Sequence, residues 1–415
     1  MKPNSRSRFF IGSLLILFLA VVPAAAQEVR SGQTPGGAFY RMAVPAVWNG
    51  SLVIWNHGFS LSPIEPVPAE ETELIELLAG PFGYAVAASS YQQRGWALFK
   101  SNQDLEETVA VFEAEFGVPS EIILVGGSLG GIVTAAAIEA ADLGNVTGAL
   151  TFCGAVAGSR NWDAALDVRL LYDVICSQKK YRIAGGAKGL EKNSKVTPDE
   201  VASKVNACLG VDKAAGKRNK KQRKRLQRFL ELTELPVSFV QTVMGYATFA
   251  MSDLVYDKGK MKGKQGAGNM NVDYGDPEIN EKIERFKPKA AKARRLARNY
   301  TPSGKVGDVK IVSMHTDKDG LVIVENQGEW ADVVPAENLT AAVVIEEQPT
   351  HCGFSQGELV AGWESLRNWI DGGPQPTAQD LQDTCLVFEP LVGGPCRIDP
   401  DFVIPDMDGR VRPRG

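Results

Sequence analysis

The sequence predicts an α/β fold, with a mostly parallel central sheet covered by helices and interrupted by a helical, basic cap insertion. Three observations lead there. Strand-like runs of β-branched and aliphatic residues alternate with amphipathic segments along much of the chain, the pattern of a parallel sheet covered on both faces. One such run, Ile122 to Val125, passes through Gly126-Gly127-Ser128-Leu129-Gly130 straight into the apolar, helix-forming stretch Ile132 to Ala137. Charge is also segregated: residues 155–300 hold 30 of the 45 Lys+Arg but only 16 of the 49 Asp+Glu, a net of +14 that leaves −18 on the rest. Such asymmetry marks a separate unit.

A chain of 415 residues has ample material for one large α/β body with an insertion. Its composition is that of a globular protein and excludes disorder. Lys2, Arg6 and Arg8 precede an apolar run from Phe9 to Val22 that ends in Pro23-Ala24-Ala25-Ala26. That order reads as a signal peptide over residues 1–26, too short to span a bilayer comfortably, so export to the periplasm or beyond is expected without a stable membrane anchor. In an exported chain the six cysteines are expected to be bridged. Cys385 with Cys396 and Cys176 with Cys208 are the pairs that local spacing suggests, leaving Cys153 and Cys352. The pattern holds no Cys-x-x-Cys pair or His cluster, so no metal is expected, and no cofactor.

Taken in order, residues 27–154 form the first part of the core. An edge strand is expected at Ala38 to Val44, and Ser51 to Asn56 is the first inner strand, ending at His57-Gly58-Phe59. Tyr84 to Ser89 follows. Leu105, Val109, Phe112 and Phe116 then recur at helical spacing, with Ser101 or Asn102 as the cap. Gly148 to Phe152 is the strand after the Ser128 turn. Residues 155–300 form the cap: an amphipathic helix through Leu226, Phe229, Leu230 and Thr233 sits behind a basic run, a flexible loop lies between Lys258 and Tyr274, and a second basic helix runs from Pro277 to Arg298. The core resumes over 301–373, with strands at Val309–His315 and Ala341–Glu346 and helices at Glu325–Val334 and through Leu359, Trp363, Leu366 and Ile370. Residues 374–415, rich in Pro and Gly, are expected as an irregular, bridged tail.

The candidate chemistry begins at Ser128. Gly-x-Ser-x-Gly between a strand and a helix is a nucleophile elbow, a turn so tight that the serine backbone is strained and its hydroxyl stands clear of the sheet. The N–H of Leu129, at the helix start, is then free to meet an oxyanion. A hydroxyl needs a base, and the base an acid to orient it, in the chain order Ser, acid, His. Of the three histidines, His57 precedes Ser128 and fails the order. His315 has no convincing acid loop before it. His351 satisfies the order and is the candidate base. Asp317 and Asp319 compete as the acid. Asp319 is favoured because Leu321 and Val322 after it can pack on the sheet while its carboxylate faces His351.

Trp48-Asn-Gly-Ser-Leu-Val-Ile-Trp-Asn-His-Gly58, Gly95-Trp96, Gly126 to Gly131, Cys153-Gly154, the loop 315–319 and His351-Cys-Gly-Phe354 together resemble secreted bacterial α/β-hydrolases of the esterase, feruloyl-esterase and tannase-like kind. The resemblance covers residues 35–155 and 305–372. It implies an α/β-hydrolase fold, a serine esterase activity on a small-molecule or polymeric ester, Ser128, Asp319 and His351 as the catalytic triad, and the N–H groups of Phe59 and Leu129 as oxyanion donors. In tannase-type members a cysteine beside the nucleophile is bridged to one beside the histidine. Here Cys352 is present but residue 127 is glycine, so tannin and feruloyl substrates do not carry over.

Two other readings stand beside the esterase. One is a peptidase or amidase on the same triad. The other is a non-catalytic binder of anionic polymers that uses the basic cap. Nucleic acid is not expected as a partner, because the basic run lacks interleaved aromatics.

Overall fold

The computed structural model describes residues 27–79 and 82–414. The leader expected at residues 1–26 lies outside them. Among the described residues a nine-stranded sheet runs in the order β1-β2-β4-β3-β5-β6-β7-β8-β9. Its elements up to the cap are β1 (Glu28–Gln33), β2 (Phe39–Val44), β3 (Ser51–Asn56), α1 (Glu70–Ala79), β4 (Ala85–Ser89), α2 (Ser101–Phe116), β5 (Glu121–Gly127), α3 (Leu129–Ala140) and β6 (Val146–Phe152). Strands β3 to β6 pair in parallel, whereas β1 and β2 are joined antiparallel at the edge. The single edge strand expected before Trp48 is therefore a two-stranded ribbon. β1 is largely exposed and polar, so it carried no hydrophobic signal.

Period-2 side-chain alternation explains why both faces are covered. On β5, Ile122 and Leu124 face a core shared with Leu105, Val109 and Phe112 of α2 and Ile132 and Val133 of α3. Ile123 and Val125 face the opposite core, with Trp363 and Leu366 from a helix near the end of the chain. Burying each such side chain contributes roughly 1.5–3 kcal/mol, so the sheet is fixed from both sides. The N-cap of α2 is Lys100, one residue before Ser101, the nearer of the two expected caps, and no side chain caps it. Ser101 is instead buried in the first turn.

Between β6 and the rest of the core lie α4 (Arg160–Ile175), α5 (Pro198–Leu209), α6 (Lys220–Thr233), α7 (Val240–Gly245), α8 (Met251–Tyr256), α9 (Pro277–Lys282) and α10 (Ala290–Asn299). A π-turn at Tyr246–Ala250 joins α7 to α8. The disulfide Cys176–Cys208 links the end of α4 to α5. Two expectations need correction. The stretch 258–274 is packed rather than flexible: Lys260, Met261 and Asn269 are buried, and Lys260 pairs with Asp253 and donates to Arg94 O at 2.7 Å. The basic helix expected over Pro277–Arg298 is two helices, α9 and α10: the backbone turns extended at Ile283 and becomes helical again only at Ala290, beyond Pro288.

The core resumes with β7 (Lys310–Thr316), α11 (Glu325–Ala331), β8 (Leu339–Val344) and α12 (Gln356–Ile370), with β6, β7 and β8 parallel. The tail is not irregular. It holds α13 (Ala378–Val392), β9 (Ile398–Asp399) paired antiparallel with β8, and α14 (Met407–Arg410). Thr377 and Asp380 form a capping box that starts α13. The disulfide Cys385–Cys396 joins α13 to the segment before β9.

Among the described residues no helix is long and apolar enough to cross a membrane.

Candidate active site

Ser128 sits between β5 and α3 with φ 56° and ψ −118°. A non-glycine residue in such backbone stores roughly 1–3 kcal/mol, and it stays there only because its surroundings over-determine it. The surroundings here are two glycines and three hydrogen bonds. A Cβ on Gly130 would overlap Asn56 O, and one on Gly126 would overlap the Gly130 carbonyl, so strand and helix can meet only where both lack side chains. Ser128 N donates to Phe152 O at 2.9 Å, while Gly131 N and Ala155 N donate to Ser128 O at 3.1 and 3.3 Å.

The structure brings the three sequence-derived residues together from three strand ends. His351 Nε2 lies 2.8 Å from Ser128 Oγ, and His351 Nδ1 lies 2.6 Å from Asp319 Oδ2. The hydroxyl can therefore donate to Nε2 while Nδ1–H donates to the carboxylate, the tautomer a general base requires. Asp319 is buried, and its second oxygen accepts from Leu321 N at 2.8 Å and Val322 N at 3.1 Å. Those two bonds fix the carboxylate's direction. Asp317 points elsewhere: its Oδ1 accepts from Glu346 N at 2.8 Å and ties the β7 loop to the end of β8.

The other two histidines are held apart from this chain. The His57 ring stacks on Tyr91 with centroids 4.3 Å apart and keeps Nδ1 on Gly58 O. His315 is fully buried on β7, with Nδ1 against the Thr316 backbone. Burial lowers the pKa of both, which favours neutral rings.

Phe59 and Leu129 line the same pocket as Ser128, and among the described residues the N–H of neither has a backbone or side-chain partner. A side chain placed on Gly58 would lie 3.8 Å from Ser128 Cβ, so the turn after β3 faces the hydroxyl closely. Two free donors beside a nucleophile are what a developing oxyanion needs.

Sequence reasoning left one feature of the site open. Cys153, directly after β6, is bridged to Cys352, the residue after His351. The loop carrying His351 is thereby fastened to β6, the strand beside β5 and its Ser128 turn. Arg397 adds to the fastening, donating to Gly353 O at 2.7 Å and to Glu358 at 2.9 Å. The signal was present in the two cysteines that local spacing did not pair. These sulfurs lie with Asp319 and His351 in one tight cluster, but both are bonded to each other and offer no thiolate to a metal.

The pocket above Ser128 measures about 1030 Å³, its opening included. Its walls are mostly apolar: Trp162, Val168 and Leu171 from α4, Val243 from α7, Tyr246 from the π-turn, and Leu321 to Ile323 after the acid. The cap thus roofs Ser128. Phe239 reaches down so closely on Gly320 that a Cβ there would strike its ring. Part of the cap's positive charge is neutralised internally, as where Arg228 meets Asp276 at 2.7 Å and Glu278 at 2.8 Å.

A sheet of this order, with an elbow serine after β5, an acid after β7 and a histidine after β8, is the α/β-hydrolase fold. No family model matches the chain, and no curated protein matches it. Among solved structures, an esterase from Rhodococcus sp. ECU1013 is similar over 83% of this chain and 98% of its own, at 15% identity and a TM-score of 0.40. Lipase A of Candida antarctica in its closed state is similar over 92% of this chain and 87% of its own, at 13% identity and a TM-score of 0.44. An esterase of Pyrococcus furiosus is similar over 83% and 90%, at 11% identity and a TM-score of 0.38.

Proposed function

We propose that the protein is a secreted or periplasmic serine hydrolase that cleaves carboxylic esters without a cofactor. The observation that carries this reading is the unbroken hydrogen-bonded chain from Ser128 through His351 to Asp319 at the floor of an apolar pocket. Ser128 Oγ attacks the ester carbonyl as its proton passes to His351 Nε2. Asp319 steadies the imidazolium from Nδ1. The tetrahedral oxyanion is held by Phe59 N–H and Leu129 N–H. Collapse expels the alcohol, which takes the proton from His351. A water, deprotonated by the same imidazole, then releases the acid and restores the serine. Export is supported by the leader pattern and by three disulfides, which persist in oxidising compartments.

The test is turnover of short p-nitrophenyl esters and of their matched anilides by the wild-type chain and by Ser128→Ala. Ester turnover that falls on the order of 10⁴-fold or more in the variant, with an unchanged circular dichroism spectrum, is expected. A wild-type rate retained in Ser128→Ala would overturn the assignment. Faster cleavage of the anilides would shift it to an amidase.

A further inference from the structure

The Ser128 pocket is not enclosed by core and cap alone. Arg410, Val411 and Arg412 also line it. They belong to the segment Asp406–Arg414, which begins with α14: Asp406 caps that helix, accepting from Asp408 N at 2.7 Å. Met407 and Val411 are buried, at 1% and 3% exposure, so the segment is seated rather than draped.

Polar contacts fix it to both sides of the pocket. On the core side Arg410 reaches Glu325 of α11 at 3.4 Å. Arg160, at the start of α4, bridges Glu329 of α11 at 2.7 Å to Asp408 at 2.5 Å and to Val411 O at 2.7 Å. On the cap side Arg410 donates to Glu234 O and Arg412 to Leu232 O, each at 3.0 Å. These carbonyls lie at the end of α6, where helical C=O groups lack intrahelical partners and a cation is favoured. Arg412 also stands 5.3 Å from the Tyr274 ring centre, and Arg414 meets Asp167 at 3.1 Å and Asp163 at 3.3 Å. The segment therefore ties α4, α6 and α11 together. Leu232, Thr233 and Leu235, at the end of α6 that it holds, line the pocket as well.

A segment that only packed would require Met407 and Val411. It would not need Arg410 and Arg412 on either side of Val411, both donating to carbonyls at the end of α6 and both lining the pocket. We propose that Asp406–Arg414 is a specificity-determining wall, which limits the bulk and length of the apolar group that can lie beside Ser128. The inference rests on the hydrolase reading and adds to it.

The test compares p-nitrophenyl dodecanoate with p-nitrophenyl acetate in three chains: wild type, a chain ending at Pro405, and Val411→Ala with Arg412→Ala. The ratio of kcat/KM for the long ester over the short one is expected to rise about tenfold or more in the shortened chain. The double variant, which keeps the Arg160 and Arg414 anchors, should move the same way by a smaller factor. A folded shortened chain with the wild-type ratio would overturn the proposal. Should the shortened chain fail to fold, an unchanged ratio in the double variant would overturn it equally. A second arm needs no catalysis: 1-dodecanol and 1-butanol displace anilinonaphthalene sulfonate from Ser128→Ala chains with and without the double substitution. A shift in favour of dodecanol, beside a wild-type chain that cleaves no ester, would keep the wall and end the esterase reading. Ester turnover with neither ratio altered would do the reverse.

Discussion

The rim of the sheet and the cap above it are built on opposite principles. At the rim, the serine and the carboxylate are placed by backbone, His351 alone being tethered by a bridge: Ser128 is fixed by three main-chain bonds and two obligatory glycines, and Asp319 by two N–H groups from its own loop. In the cap, position comes from side chains reaching between helices, such as Lys260 to Asp253, Arg228 to Asp276 and Arg414 to Asp167. Backbone geometry tolerates little variation, whereas side-chain ties can be redrawn. On the proposed function, the difference would separate reaction from selectivity: the sheet would aim the reacting groups, and distant pieces of chain would shape what reaches them.

The largest effects are expected where the rim is broken. Asp319→Asn should lower kcat on p-nitrophenyl acetate on the order of 10⁴-fold, because an amide at Oδ2 favours the wrong imidazole tautomer. Asp317→Asn keeps an acceptor for Glu346 N, loses only the charge beside Lys318, and should cost less than about tenfold. Equal losses in the two variants would mean that the acid has been misassigned.

That contrast also shows what the sequence could carry. The elbow, the strand ends and the preference for Asp319 were legible because each depends on residues adjacent in the chain. α13 has a readable capping box at Thr377 and Asp380, but Pro390 and the flanking glycines obscured its period. The break between α9 and α10 begins at Ile283, where continuous basic charge hides it. The packing of 258–274 and the wall at Asp406–Arg414 have no local signature at all. Lys260 is buried because Asp253 and the Arg94 carbonyl meet it in space, and spacing cannot report that.

The disulfides give the next test. Cys153–Cys352 spans 199 residues and holds the histidine loop, while Cys176–Cys208 spans 32 within the cap. Loop-closure entropy alone assigns about 5 kcal/mol to the first and about 4 kcal/mol to the second. Similar losses of stability are thus expected from Cys153→Ala with Cys352→Ala and from Cys176→Ala with Cys208→Ala. Activity should separate them. Measured on p-nitrophenyl acetate below each melting temperature, the first pair should lower kcat because the imidazole is no longer tethered. The second should leave kcat near wild type and alter the preference among longer esters. If the rim pair turned over acetate at the wild-type rate, the tether would have no part in aligning His351.

The smallest effect compares one desolvated carboxyl on each side, fully buried in the core and partly buried in the cap. Burial raises Asp104, in α2 of the core, to about 6, and burial likewise raises Asp163, in α4 of the cap, to about 6 despite Arg414 beside it. A carboxyl whose folded pKa lies above its ordinary 3.8 keeps its proton longer in the native state. Its contribution to stability is then complete below about pH 4 and is lost as pH rises through about 6. For Asp104, which is fully buried, the loss across that window is on the order of 3 kcal/mol. Asp104→Asn should flatten it. The amide keeps one acceptor for Gln92 N, and a turn of the Gln92 side chain supplies an acceptor to its NH₂. Chemical denaturation at pH 4, 5, 6 and 7 reads the slope directly. If Asp163→Asn removed the fall in stability and Asp104→Asn left it intact, the cap rather than the core would set the protein's response to acid.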